Sequence, residues 1–365
     1  MSTVVVLVIY SMAINKSYTF IYFLMAYTNY KESHIMEIED SHKSGKGSRS
    51  LKVTVNGKRW ITPTYFPSVS SQGVRYSVDS YVDLLVEHQF PFLLVSSYDL
   101  DRESMSNDLV KKINKFSDNG NILFVDSGIY ESTWKRDPNW LFDNYRETIS
   151  AVKCDLYSSF DIFPGSNEGY SNFMKRTTRA IRRSQALESR GELVPIVHGE
   201  NPQDLFKAVK KVLRAFDFEL RIISVPERET GQDIIERACL LRRIRKLLDQ
   251  QNQDTILHLL GCGDPISLVL FIYCGVDSFD SLDWLKFALD PNELRMRHFS
   301  HSVLIDCNCP YCSNNHYSTF FQVLLHNLYF YQGFMDSVGK KIIANEFEDF
   351  VENLIKPYVI RKLRL

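Results

Sequence analysis

The stretch of residues 255–284 constrains the fold of this chain more than any other part of it. It contains an apolar strand pattern over residues 256–260, a turn with two glycines, a short apolar helix that begins at Pro265, and a second strand pattern over residues 275–279. A strand, a helix and a strand in this order form one βαβ unit of a parallel sheet. The C-terminal ends of such strands face the ligand, so Asp280, directly after the second strand, is a candidate for the chemistry.

Apolar runs alternate with helical patterns through the rest of the chain. Continuous apolar strands separated by amphipathic helices indicate a parallel sheet covered on both faces. Eight such units within about 250 residues predict an α/β fold, a (β/α)8 TIM-type barrel. An open, doubly wound sheet is the alternative, weakened because no Gly-x-Gly-x-x-Gly follows the first strand. A hairpin around Asn56 and Gly57 precedes the barrel. The eight predicted strands are residues 62–69, 90–96, 121–127, 154–162, 193–198, 218–225, 256–260 and 275–279.

The two ends of the chain differ from the barrel. Apolar runs at residues 4–10 and 18–27 are separated by Asn15 and Lys16, and each is shorter than the roughly 20 residues of a membrane span. We therefore expect residues 1–50 to be a poorly ordered or misannotated leader, with a weak membrane anchor as the alternative. The predicted barrel domain covers residues 51–290. Residues 291–365 are predicted to form a zinc-binding subdomain and C-terminal helices.

Charge is balanced over the whole chain, with a formal net charge of −1, so any basic surface must be local. The predicted helix over residues 171–187 is such a place. A solvated barrel helix is the simpler interpretation of its charges, and a face that contacts phosphates is the functional one. Its cationic residues are Lys175, Arg176, Arg179, Arg182 and Arg183.

Carboxylates follow several of the predicted strands, where a barrel would bring them to one mouth. A single Asp at a strand end is commonly a helix cap or a turn residue. Several together favour a site, because converging carboxylates repel one another and are costly unless they are used. The set comprises Asp126, Asp161, Glu227, Glu229 and Asp280.

A cluster of cysteines predicts a metal site. Three of the seven cysteines, Cys307, Cys309 and Cys312, have a C-x-C-x-x-C spacing that can surround one Zn²⁺. His316 and His326 are the candidates for the fourth ligand. A closed ligand set indicates a structural ion, and the odd cysteine count indicates a reducing, cytoplasmic compartment rather than a secreted disulfide framework.

Four runs of sequence, in this order along the chain, make a specific pattern. They are V-D-S-G over residues 125–128 with Tyr130, L-H-L-L-G-C-G-D-P over 257–265, G-V-D-S-F-D-S over 275–281, and the cysteine run followed by H-N-L-Y-F-Y over 326–331. Together they resemble the tRNA-guanine transglycosylase family over residues 62–331. That family comprises zinc-containing (β/α)8 barrels that exchange a guanine in nucleic acid for a 7-deazaguanine base (preQ0, preQ1 or queuine).

The resemblance implies roles for individual residues. Asp280 would be the nucleophile on the ribose C1′ and Asp126 the general acid/base. In the substrate site Asp161 would hold the polar edge of the base, Tyr130 and Leu260 would sandwich its ring, and His198 and Gly261 would line the pocket. Cys307, Cys309, Cys312 and His326 would bind a structural zinc ion. Members of the family often dimerise around the zinc lobe, so we expect a homodimer, and we expect no membrane partner.

The departures from the family pattern concern base choice and contacts with the polymer. Ile129 and Glu131 replace a glycine and a glutamine, His198 stands in place of a glutamine, and residues 224–229 replace a glycine-rich loop. These changes resemble the branch that modifies DNA, so tRNA and DNA both remain candidate polymers, with DNA slightly favoured. A non-catalytic nucleic-acid-binding subunit and an unrelated barrel glycoside hydrolase are the competing functions.

Overall fold

The computed structural model describes residues 36–43, 47–103, 108–165, 168–216, 220–250, 254–313 and 319–363. The strands are β1 (Glu37–Lys43), β2 (Arg49–Val55), β3 (Lys58–Ile61), β4 (Thr64–Val69), β5 (Phe92–Ser96), β6 (Ile122–Asp126), β7 (Leu156–Ser158), β8 (Glu192–Val194), β9 (Ile222–Pro226), β10 (Ile256–Leu260), β11 (Ser278–Ser281), β12 (Phe287–Asp290) and β13 (Arg295–His298). The helices are α1 (Val78–Glu87), α2 (Ser97–Glu103), α3 (Asp108–Asp118), α4 (Ile129–Trp134), α5 (Phe142–Ala151), α6 (Tyr170–Gln185), α7 (Pro202–Ala215), α8 (Ile234–Asp249), α9 (Pro265–Tyr273), α10 (Asp283–Lys286), α11 (Thr319–Ile343), α12 (Phe347–Leu354) and α13 (Pro357–Leu363).

Strands β4 to β11 form one parallel sheet in the order β8-β7-β6-β5-β4-β11-β10-β9. The first strand, β4, pairs with the last, β11, with Thr64 opposite Ser278. A parallel bridge between Ile196 and Ser224 joins the two remaining edges, so the sheet nearly closes on itself. The predicted (β/α)8 barrel is confirmed, and the alternative of an open, doubly wound sheet is wrong.

A three-stranded antiparallel sheet, β1-β2-β3, covers the N-terminal end of the barrel. Met36, Leu51 and Trp60 from this sheet share one buried cluster with Ile122 and Ile256, which are the first residues of β6 and β10. The turn between β2 and β3 has positive φ at both Asn56 and Gly57, as a two-residue hairpin requires. The predicted hairpin is therefore confirmed.

The structure corrects the expected leader at its C-terminal boundary. Strand β1 and the start of β2 lie within residues 36–50, and Glu37 pairs with Thr54. An antiparallel edge strand needs one buried face only, which is why the polar sequence of β1 did not look like a strand. Residues 1–35, with both apolar runs, lie outside the described residues. Among the residues that are described, no helix combines the length and the apolarity that crossing a membrane requires.

A buried ion pair links this small sheet to the barrel. Arg49 on β2 donates from Nε and Nη2 to the two carboxylate oxygens of Asp277, at 2.8 and 2.7 Å. The same Nη2 donates to the carbonyl of Thr255 at 2.8 Å, as does Nη1 of Arg245. Asp277 also accepts the Leu257 N–H at 2.8 Å. These bonds hold the starts of β10 and β11 in register beneath the mouth.

The C-terminal helix α11 packs directly on the barrel. The ring of Tyr331 stacks on that of Tyr65 with centroids 3.8 Å apart, and its hydroxyl donates to the carbonyl of Gly263 at 2.7 Å. Asn327 accepts the Leu289 N–H and donates to the carbonyl of Trp284. We retain the division between a barrel over residues 51–290 and a zinc-binding subdomain over residues 291–365 as a proposal.

We predict that replacing Arg49 with Met lowers the free energy of unfolding by about 3–5 kcal/mol, because it leaves the buried carboxylate of Asp277 without its cation. Urea unfolding followed by tryptophan fluorescence measures this change. Lys111→Met is the control, since Lys111 pairs with Asp108 on the exposed surface of α3 and should change stability little. Equal midpoints for R49M and the wild type would contradict the prediction.

Candidate active site

The predicted carboxylates meet at the C-terminal mouth of the barrel. Asp126 ends β6, and Asp161 follows β7 by three residues. Asp280 lies within β11, one residue before its end, and not directly after the strand as predicted. Asp161 and Asp280 are buried, and Asp126 is partly exposed to the mouth. Asp277, on the same short segment as Asp280, lies instead at the opposite end, in the ion pair with Arg49.

Three donors orient the carboxylate of Asp280. Ser68 Oγ donates to Oδ2 at 2.6 Å, and the Gly261 N–H donates to Oδ1 at 3.2 Å. His258 Nε2 lies 3.2 Å from the same Oδ1, while its Nδ1 lies 2.8 Å from the hydroxyl of Ser278, which fixes the ring. Gly261 has φ +80°, a left-handed conformation that favours glycine and turns its amide toward the carboxylate. The carboxylate is thus held in one orientation without a direct cationic partner from Lys or Arg among the described residues.

Asp126 has the properties of a group that exchanges protons near neutral pH. Burial, with the negative charges of Asp161 and Asp280, raises its pKa to about 6, although the hydrogen bond from Ser158 opposes the shift. Ser158 Oγ donates to Oδ1 at 2.9 Å. The Gly128 N–H donates to Oδ2 at 3.4 Å. A Cβ atom at position 128 would lie 2.5 Å from the backbone nitrogen of Tyr98. A pKa near the working pH is what general acid/base catalysis requires.

His198 forms a charged bridge between two carboxylates. Its Nδ1 lies 2.8 Å from Glu229 Oε1, and its Nε2 lies 2.8 Å from Asp161 Oδ1. Both ring nitrogens of His198 therefore face carboxylate oxygens. Burial alone would lower the pKa of His198, but Asp161 and Glu229 outweigh it and raise the pKa to about 10. The imidazole is therefore a buried cation, and Glu229 also accepts the Gly199 N–H at 3.1 Å.

Glu131 is a buried acid at the mouth whose importance sequence reasoning missed. Hydroxyls of Ser70 and Ser96 donate to its two oxygens at 2.7 and 2.8 Å. Burial, with the charges of Asp99 and Asp126, raises its pKa to about 7. The sequence signal is its position three residues after the V-D-S-G run, where the family that this run resembles has a glutamine. Ser70 directly follows β4 and Ser96 ends β5, so only the fold shows what surrounds Glu131.

Tyr130 and Leu260 both lie at the rim of the same mouth. Tyr130 is in the first turn of α4 and packs edge-on against Trp134, with centroids 6.1 Å apart. Leu260 ends β10, next to the Gly261 amide, and is partly exposed. That the two side chains sandwich a base stays a prediction.

The cysteine cluster meets His326 in a geometry that could hold a metal ion. The sulfur atoms of Cys307, Cys309 and Cys312 and the ligating nitrogen of His326 lie within 4.8 Å of one another. His326 Nδ1 lies 3.5 Å from Cys309 Sγ and 3.4 Å from Cys312 Sγ. Its Nε2 lies 2.7 Å from the carbonyl of Leu289, so Nε2 donates there and Nδ1 faces the sulfurs. His316, the other candidate ligand, lies outside the described residues.

The chain is similar to known proteins along most of its length. A family model described as queuine tRNA-ribosyltransferase matches residues 44–359. A tRNA-guanine(15) transglycosylase of Pyrococcus abyssi is 24% identical over 300 residues, which cover 76% of this chain and 48% of that protein. Another tRNA-guanine(15) transglycosylase, from Nanoarchaeum equitans, is 24% identical over 87% of this chain and 77% of its own length. A queuine tRNA-ribosyltransferase of Listeria welshimeri is 26% identical over 57% of this chain and 62% of its own. The chain thus spans about half the length of the Pyrococcus relative.

We predict that Cys309→Ser abolishes stoichiometric metal binding, because a buried hydroxyl cannot replace a thiolate in this ligand set. Inductively coupled plasma mass spectrometry of the dialysed protein measures the metal content and identifies the element. Cys239→Ser, on the outer helix α8 and outside the cluster, should keep the full metal content. Loss of metal from both variants, or from neither, would contradict the assignment.

We predict that Glu131→Gln removes part of the pH dependence of stability. The pKa of Glu131 is higher in the folded protein, about 7, than in an unfolded chain, about 4.3. Its protonation therefore stabilises the fold at low pH, and that contribution is lost as the pH rises from about 4.3 through 7. Relative to the variant, the wild type should lose at most about 3 kcal/mol between pH 5 and pH 8 in urea unfolding. Glu147→Gln, exposed on α5, should parallel the wild type.

Proposed function

The chain belongs to the queuine tRNA-ribosyltransferase family, and on that premise we propose that it exchanges a guanine in nucleic acid for a 7-deazaguanine base. The observation that carries the proposal is the pair of carboxylates at the barrel mouth. One of them, Asp280, is held by three donors, and the other, Asp126, has a pKa raised to about 6. The two environments differ in the way that a nucleophile and a proton carrier require.

In the first half of the proposed reaction, a carboxylate oxygen of Asp280 attacks C1′ of the ribose. The bond between C1′ and the guanine nitrogen breaks, and protonated Asp126 gives its proton to the departing base. The result is a covalent link between Asp280 and the sugar. The phosphodiester backbone takes no part in this step.

In the second half, the incoming 7-deazaguanine loses a proton to the carboxylate of Asp126 and attacks C1′. The ester bond to Asp280 then breaks and restores the free carboxylate. Two successive displacements return the original stereochemistry at C1′, as in retaining glycosidases. Asp126 ends the cycle protonated, as it began.

The residues around His198 support recognition of a purine edge. Asp161 offers carboxylate oxygens that accept from base N–H groups, and the ion pair with His198 holds that carboxylate in place. The base must leave its stack to reach this mouth, and Tyr130 and Leu260 would then flank its ring. The candidate incoming bases are preQ0, preQ1 and queuine, and mass spectrometry of the digested polymer distinguishes them.

The named relatives all act on tRNA by their printed names, so a tRNA is the polymer that we propose first. DNA stays the second candidate because of the departures from the family pattern, such as the one at residues 224–229. A homodimer stays an expectation.

For the cysteine cluster we propose structural zinc. Three thiolates and one imidazole are the donor set of closed, four-coordinate zinc sites. The ion would tie residues 307–312 to α11, which carries His326, and through the Leu289 carbonyl to β12. It would take no part in the exchange.

We predict that Asp280→Asn abolishes exchange of labelled guanine and that Asp126→Asn slows it by about 10²–10⁴-fold, because general acid/base assistance has that magnitude. The assay offers tRNA and duplex DNA separately, followed by mass spectrometry of the digested polymer. Asp143→Asn, exposed on α5, is the control and should react as the wild type does.

Unchanged exchange by D280N would overturn the covalent mechanism. A wild type that binds both polymers and exchanges in neither would favour the competing function, a non-catalytic nucleic-acid-binding subunit. The other alternative, an unrelated barrel hydrolase, is wrong because the family is established.

A further inference from the structure

An open groove runs between helices α6 and α7 on the outside of the barrel, with a volume of about 660 Å³. Side chains of Met174, Ala186 and Ala215 give it an apolar floor. The groove is not part of the mouth, since α6 leads away from the strand end that carries Asp161. Its cations are Lys175, Arg179, Arg182, Arg183 and Lys211, and none of its lining residues is acidic.

The charge composition of α6 distinguishes it from an ordinary solvated helix. Helix α6 contains no acidic residue, and none of the five groove cations has a salt bridge among the described residues. Two neighbouring cations outside the groove are paired, Arg176 with Glu168 and Lys207 with Asp204, whereas Lys210 and Arg214 on α7 have no salt bridge among the described residues. Solvated helices usually intersperse both signs of charge. Here the neutralising acids stand beside the groove and not in it.

Aromatic rings hold two of the guanidinium groups in place. Arg183 lies over the ring of Phe142 at 3.8 Å from its centroid, and Arg182 lies over Phe216 at 5.8 Å. A planar guanidinium stacked on a ring keeps its edge free for hydrogen bonds to phosphate oxygens. The groove therefore presents a concentration of fixed positive charge on a chain whose net charge is −1.

We propose that this groove binds the phosphate backbone of the nucleic acid whose base is exchanged at the mouth. The inference rests on the proposed function for the identity of the polymer, and on the groove alone for the phosphate contacts. From Lys175 to Arg183 the cations follow about 12 Å of helix, and one strand of a duplex passes a phosphate roughly every 3.4 Å of its axis. Contacts along the barrel flank would anchor the polymer while one nucleotide occupies the mouth.

The test compares two double variants of the full chain that each remove two positive charges, both from α6 in the groove variant and one each from α6 and α7 in the control. Lys175→Gln with Arg179→Gln changes the groove, and Arg176→Gln with Lys207→Gln changes paired cations outside it. Fluorescence anisotropy measures Kd for a labelled tRNA transcript and for duplex DNA over a series of salt concentrations. The groove variant should bind several-fold more weakly, and the slope of log Kd against log salt should fall by about 1.4–1.8.

A second pair of variants checks the result without removing any packing cation. Ala186→Glu should weaken binding through like-charge repulsion with the phosphates, whereas Ala186→Gln should not. Equal slopes and affinities for the groove variant, its control and the wild type would overturn the proposal. The proposal would also be overturned if polyglutamate displaced the labelled polymer as readily as unlabelled nucleic acid does. The groove would then not distinguish a phosphate polymer from another polyanion.

Base exchange by the same proteins separates the two proposals. Exchange with an unchanged kcat and a raised KM in the groove variant supports both. In a second outcome, the groove variant loses the salt-dependent binding, but the wild type exchanges no base in tRNA or DNA. This result supports phosphate binding in the groove and rejects the proposed function. In a third outcome, the protein exchanges the base normally and the groove variant binds nucleic acid as the wild type does. This result supports the proposed function and rejects phosphate binding in the groove.

Discussion

A buried guanidinium, that of Arg49, links the starts of the last two strands of the barrel. Arg49 comes from outside the eight-stranded sheet, yet it makes two hydrogen bonds to Asp277 at the entrance to β11 and a third to the carbonyl that precedes β10. Those two strands carry Leu260 and Asp280 toward their other ends, with His258 in the middle of β10. Because β11 is only four residues long, any slip at Asp277 would move Asp280. The position of the candidate nucleophile is therefore determined from the opposite end of the barrel.

The carboxylates at the mouth lie close together but have different electrostatic surroundings. Several carboxylates converge there, and their surroundings differ: Asp280 is surrounded by donors, His198 forms ion pairs with both Asp161 and Glu229, and Asp126 has a raised pKa. A site of this kind suits a reaction in which positive charge develops on a sugar carbon, since anionic groups stabilise that charge. The buried cation at His198 limits the repulsion that would otherwise act among the acids.

Local sequence predicted the features that depend on local periodicity. The strand at residues 256–260 was correct to the residue, and the Asn56-Gly57 turn was correct because its backbone geometry is encoded by those two residues. The predicted strand over residues 154–162 was too long, since only Leu156–Ser158 pairs before the chain turns toward the mouth. Strand β1 was missed because Ile38 is its only apolar residue, too few to reveal the alternation of a strand with one buried face. The partnership of His198 with Glu229 and the serine cradle of Glu131 could not be predicted, because each joins side chains from separate strand ends.

The ion pair between Arg49 and Asp277 joins residues 228 positions apart in the chain. At a synthesis rate of about 5–20 residues per second, the ribosome therefore adds Asp277 roughly 10–45 s after Arg49. Over the same interval β4 lacks its neighbour β11, so the nascent sheet has an open edge. The barrel thus cannot complete its fold while the ribosome is making its first half, and that half must be protected from association with other chains until the last strand arrives.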